Sequence, residues 1–139
     1  VGLSNANDRQ HGGDHYKKRE YQHWDFVCDL NLDYLLGCAS KYVARWRDKN
    51  GKEDLEKAVH YLEKAMEREV SAPAMDEENW DYLRHFTGQL DDEEATIIRL
   101  IVVGEFAEAI GALDYILETG FGEGPEDGGD GQQPRAEVL

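Results

Sequence analysis

From Leu35 to Met66 apolar residues recur at intervals of three and four, and the pattern is interrupted once, at Asp48-Lys49-Asn50-Gly51-Lys52. With about 3.6 residues per turn, such residues fall on one side of a helix. Leu35, Leu36, Ala39, Tyr42, Val43 and Trp46 mark the apolar face of a helix from Leu35 to Arg47. Leu55, Val59, Leu62 and Met66, flanked by Ala58 and Ala65, mark that of a second, from Glu53 to Arg68. Asn-Gly between them tolerates a left-handed backbone, and Glu53 and Asp54 suit the positive end of the second helix. So short a connection returns the chain beside itself, and the expected unit is an antiparallel helical hairpin.

The rest of the chain reads as helix around that hairpin. Trp24 to Leu30 is expected to form a short helix with Trp24, Val27 and Cys28 inward. Asp76 to Phe86 is expected to form another, with Trp80, Leu83 and Phe86 inward and Gly88 ending it. A single long helix is expected from Glu94 to Glu118, on the spacing of Ile97, Ile98, Ile101, Val102, Phe106, Ala109, Ile110, Leu113 and Leu117. Residues 1–14 read as an irregular arm, 15–119 as a single helical domain of the all-α class, and 120–139 as a flexible acidic tail, rich in glycine and poor in residues that could repay ordering.

Thirty acidic residues against fifteen Lys and Arg give a formal net charge of -15. Such a balance disfavours direct nucleic-acid binding and attraction to anionic membranes, and suits a basic protein partner. The charge is uneven. From Lys41 to Arg68 there are eight basic and six acidic residues, whereas Glu69 to Leu117 holds twelve acidic and two basic ones. The hairpin is thus a locally positive island on a negative chain. No run approaches the roughly twenty apolar residues needed to span a bilayer. Cys28 and Cys38 form no Cys-X-X-Cys pair, which suits reduced thiols in the cytoplasm. A homo-oligomer is compatible with so small a domain, and Ile101, Val102 and Val103, spread around much of a turn, suit either deep burial or a subunit seam.

The ordered pieces H-Y, then Y-Q-H-W-D, then L-G-C-A-S-K-Y-V-A-R-W-R-D-K-N-G-K-E-D-L-E-K-A-V-H-Y-L, spread from His15 to about Glu67, carry a family likeness. They resemble the tailed-phage nucleotide kinase-like family, small phage proteins largely of unknown activity that include the deoxynucleotide kinase of phage T7. The matching positions are His15-Tyr16, Gln22, Trp24-Asp25, Gly37, Lys41-Tyr42, Arg45, Lys49, Gly51, Asp54-Leu55, Lys57-Ala58 and Tyr61-Leu62. Cys38 departs from the pattern, because the family usually has Asn after Gly37. A thiol does not replace an amide as both donor and acceptor.

The resemblance implies nucleotide binding in a host cytoplasm, with phosphate transfer to a deoxynucleoside monophosphate as the associated reaction. Arg45 and Lys41, one helical turn apart, would grip phosphate, Arg45 in a bidentate manner. Lys49 and Lys52 would close over it, with the helix start near Glu53 adding backbone donors. Asp54 would hold Mg2+ or orient the acceptor hydroxyl, His15 would serve the chemistry, Tyr16 would cap the ligand, and a nucleoside triphosphate would supply the phosphate. No G-x-x-x-x-G-K-[ST] loop is present, which excludes a Walker-type kinase. Two other readings stand beside this one. Glu105 and Glu108, with Asp114 beyond them, suit a magnesium-dependent nucleotide pyrophosphohydrolase. The acidic surface, with Trp80, Phe86 or Phe121 as an anchor, suits a protein that binds and modulates a host factor.

Overall fold

The computed structural model describes residues 20–121, and all regular structure among them is helical: α1 (His23–Leu30), α2 (Tyr34–Arg45), a 3₁₀ turn (Trp46–Asp48), α3 (Lys52–Glu67), α4 (Glu77–Thr87), α5 (Asp92–Val102) and α6 (Phe106–Thr119). The proposed arm at 1–14 and nearly all of the proposed tail lie outside the described residues.

Helices α2 and α3 pair as the hairpin, α6 packs along α3, α5 bridges α2 and α6, and α4 joins α1 to α5. The seam of the hairpin is made by Leu36, Ala39 and Val43 from α2 and by Leu55, Ala58, Val59, Leu62 and Ala65 from α3, all fully buried. The alanines, expected to flank the stripe, lie at its centre, and their small size lets helix surfaces meet closely. Met66, expected inward, is exposed.

Three further inward expectations are corrected. Trp24 and Cys28 are exposed on α1, and Trp80 is 37% exposed on α4. The side chain that fastens α1 to α4 is Phe26, which stacks on Phe86 with ring centroids 4.4 Å apart. Tyr21 strengthens this junction. Its N–H donates to Gln89 Oε1 at 2.7 Å, and Gln89 Nε2 donates to the Tyr21 carbonyl at 2.9 Å. A short apolar helix does not reveal its rotation from its own sequence, because the neighbouring α4 decides which ring is covered.

The long helix expected from Glu94 to Glu118 is two helices, with a break at Val103-Gly104-Glu105. Gly104 has φ +88°. Its N–H donates to the Ile101 carbonyl at 3.1 Å and that of Glu105 to the Leu100 carbonyl at 2.8 Å, a paired closure that requires a left-handed residue after the helix. The apolar spacing continues across the break because both helices bury the same side of the molecule, so periodicity alone could not show it. Of the two roles open to Ile101, Val102 and Val103, the first two residues take deep burial, while Val103 is exposed.

The same closure ends α3, but there the left-handed position is Glu69, with φ 55°. A side chain at this geometry costs roughly 1 kcal/mol relative to glycine. Glu69→Gly is therefore expected to raise the unfolding free energy by up to about 1 kcal/mol in a urea titration. Gly104→Ala should lower it by at least as much, since the added methyl would also stand 3.2 Å from Ala72 Cβ.

Candidate functional site

Asp54 is the third residue of α3, and its side chain is 0% exposed. An ionised carboxylate taken out of water must be paired. Asp54 Oδ2 lies 3.4 Å from Arg45 Nε across the hairpin and accepts the Asn50 N–H at 3.2 Å, while Asn50 Nδ2 donates to Oδ1 at 3.5 Å. The loop is therefore wrapped around its own anion. Gly51, at φ 57°, makes the turn possible, and its N–H donates to the Trp46 carbonyl at 2.9 Å. The N–H groups of Glu53 and Asp54 donate to the carbonyls of Asn50 and Gly51. Those backbone donors, expected to face a phosphate, are spent inside the turn.

Outside this clamp lies a surface of cations and tyrosines built from both helices. Tyr34, Cys38, Lys41, Tyr42 and Arg45 recur on one side of α2, and Lys57 and Tyr61 stand one turn apart on α3. Lys41 Nζ is 4.9 Å from the Tyr42 ring centroid, Arg45 Cζ is 4.8 Å from it and Lys57 Nζ is 5.5 Å from it. Tyr42 stacks on Tyr61 at 5.8 Å, and Tyr61 meets Tyr34 edge-on at 6.4 Å. Lys57 also pairs with Glu53 at 3.3 Å. Lys41 makes no ion pair among the described residues.

Tyr34 is 72% exposed, and its hydroxyl is pushed up to about 12, chiefly by hydrogen bonding to Cys38. Burial, then the proximity of Cys38, raises the Tyr61 hydroxyl. Cys38 thus acts on two tyrosine hydroxyls.

Of the residues expected to share one site, Arg45 meets Asp54, and Arg45 and Lys41 lie 4.8 and 4.9 Å from the Tyr42 ring centroid. Lys49 and Lys52 are exposed, in the turn and at the first position of α3. Among the described residues, the cation that joins Lys41 and Arg45 at Tyr42 is Lys57. His15 and Tyr16 lie outside the described residues. Sequence reasoning placed Tyr42 on the core face and gave Lys57 and Tyr61 no role. The available signal was that Lys57 and Tyr61 sit four apart opposite Lys41 and Tyr42.

A second polar anchor holds the hairpin against α5. Glu94 is 3% exposed, and its Oε2 accepts from Trp46 Nε1 at 2.6 Å and from Arg47 Nε. Arg47 also reaches Glu93 at 2.9 Å and lies over the Trp46 ring at 4.5 Å. Arg47 is therefore committed to α5, whereas Arg45 faces the tyrosines. Glu105 and Glu108 stand at the start of α6 rather than within one long helix, and a hydrogen bond between them raises Glu105. Among the described residues, no group of three or more His, Cys, Asp or Glu is placed to hold a metal ion, and no helix is long and apolar enough to cross a membrane.

Removing Arg45 would leave the enclosed Asp54 carboxylate with Asn50 alone. Arg45→Ala is expected to cost roughly 2–3 kcal/mol in urea unfolding, and Asp54→Asn introduced into that variant should recover part of the loss. Strictly additive losses would show that the two side chains are not coupled.

Residues 11–63, which take in α1, α2 and most of α3, match the model of a family described as a protein of unknown function (DUF3310). Searches among curated proteins and among solved structures gave no match. The matched stretch contains every described residue of the cation and tyrosine surface, so the candidate site lies within the part of the chain that is similar to that family of unknown function.

Proposed function

We propose that the exposed face of the α2–α3 hairpin binds a nucleotide, with phosphate held by Lys41, Arg45 and Lys57 and the sugar and base lying along Tyr42, Tyr61 and Tyr34. One observation carries this reading: cations from two helices converge on a single tyrosine ring. Like charges gathered in this way repel, and the face of the ring offsets only part of that cost. An anion placed among them relieves the rest, and tyrosine rings offer flat surfaces on which a base can stack. On a chain of net charge -15 this is a local attraction that a long polyanion could not exploit.

Phosphate transfer to a deoxynucleoside monophosphate is the reaction the face would serve in a host cytoplasm. The donor triphosphate would bring Mg2+ largely through its own phosphates and water. Asp54 then acts through Arg45, whose position it sets, while Lys49, Lys52, His15 and Tyr16 belong to the proposal as groups that close over the ligand. A second reading is favoured by Trp80, which stands half-exposed beside Glu77 and Asp81 on α4. There the acidic helix would meet a basic protein surface, with the indole as its anchor.

Calorimetric titration with deoxynucleoside mono- and triphosphates, with and without Mg2+, separates these readings. The parent chain is expected to bind, and Lys41→Ala combined with Lys57→Ala should weaken binding by about tenfold or more without lowering the melting temperature. A parent chain that gives no heat with any member of the panel contradicts the nucleotide reading.

A further inference from the structure

Asn50-Gly51 is the only Asn-Gly step in the chain, and it sits against the enclosed carboxylate that positions Arg45. We propose that Asn50 is a site of spontaneous deamidation, and that its conversion loosens the Arg45–Asp54 clamp and weakens the cationic face. The weakening of ligand binding rests on the nucleotide reading, whereas the modification and its effect on stability do not.

The chemistry needs only the chain and water. The Gly51 backbone nitrogen attacks Asn50 Cγ, forming an N–Cγ bond as the Cγ–Nδ2 bond breaks. Nδ2 leaves as ammonia, carrying the proton released from the Gly51 nitrogen. Water then opens the resulting five-membered imide at one of its two carbonyls, giving aspartate or isoaspartate. In either product a neutral amide has become a carboxylate.

Local structure favours this position over the other described asparagines. Asn50 is exposed, and the space where a side chain on Gly51 would project is empty to 4 Å, so no bulk on the following residue hinders the approach. Asn31 is followed by Leu32 and Asn79 by Trp80, both bulky. Asn79 is further held in α4, where its Nδ2 donates to the Ala74 carbonyl at 2.8 Å. The Gly51 N–H must leave the Trp46 carbonyl, 2.9 Å away, before it can attack. The folded loop therefore slows the reaction, and its rate follows the opening of that turn.

The consequence follows from what Asn50 touches. Its Nδ2 is a donor 3.5 Å from Asp54 Oδ1, and its N–H is a donor 3.2 Å from Oδ2. Aspartate at this position sets a second carboxylate against the enclosed one of Asp54, a repulsion that Arg45 must then balance for both. Isoaspartate also lengthens the backbone within the turn and displaces the N–H. Either product adds a unit of negative charge beside the surface formed by Lys41, Arg45 and Lys57.

The test ages the full chain at mildly alkaline pH and follows each asparagine by peptide mass spectrometry and isoaspartate labelling, beside an Asn50→Asp variant. Asn50 is expected to convert ahead of Asn31 and Asn79, and more slowly in the folded chain than in the urea-unfolded one. The aged chain and Asn50→Asp should both melt at lower temperature and bind a deoxynucleoside monophosphate about tenfold more weakly. Asn50 converting no faster than Asn79 overturns the assignment, and so does a converted chain that melts like the parent. If the fresh parent binds no nucleotide, the nucleotide reading fails alone, and conversion and melting still decide this one.

Discussion

A carboxylate that no water reaches organises this domain. Asp54 is buried at the point where the chain reverses, and the cost of burying it is met by Arg45 from the preceding helix and by both donors of Asn50. The turn, the start of α3 and the direction taken by Arg45 are consequences of satisfying that one charge. Such a pair adds little to net stability, because desolvation consumes most of the attraction. It does select a single loop conformation, since every alternative strands the charge.

The clamp and the surface outside it are two sides of one arrangement. Arg45 is held from within by Asp54 and lies outward over Tyr42, where Lys41 and Lys57 join it. The neighbouring Arg47 is drawn the other way, to Glu94 on α5. Two arginines two residues apart on one chain thus have separate duties, one fastening the hairpin to the rest of the fold and one facing the proposed ligand. The alanine-lined seam between α2 and α3 brings the two sets of side chains close enough to share a ring.

Much of this was legible in the residues themselves. The hairpin and its Asn-Gly turn follow from local spacing and turn chemistry, which act within a few residues. The failures involve partners distant in sequence. Nothing in Trp24 to Leu30 says that Phe26 will meet Phe86 sixty residues on, so the rotation of α1 was misjudged. The break at Gly104 did leave a trace, a glycine after a β-branched run, but uninterrupted apolar spacing outweighed it. Lys41 and Arg45 could be grouped by register and Asp54 by the family resemblance, whereas Lys57 and Tyr61 join them only when the two helices are set side by side.

The central claim is that these cations and rings form one anion-binding face. Its most direct measurement is a two-dimensional amide and tyrosine-ring NMR titration of the chain with a deoxynucleoside monophosphate. Saturable shifts confined to Lys41–Arg45, Lys57–Tyr61 and the ring of Tyr42 are what this account predicts. Shifts confined to α4 and α6, or none at millimolar ligand, would contradict it.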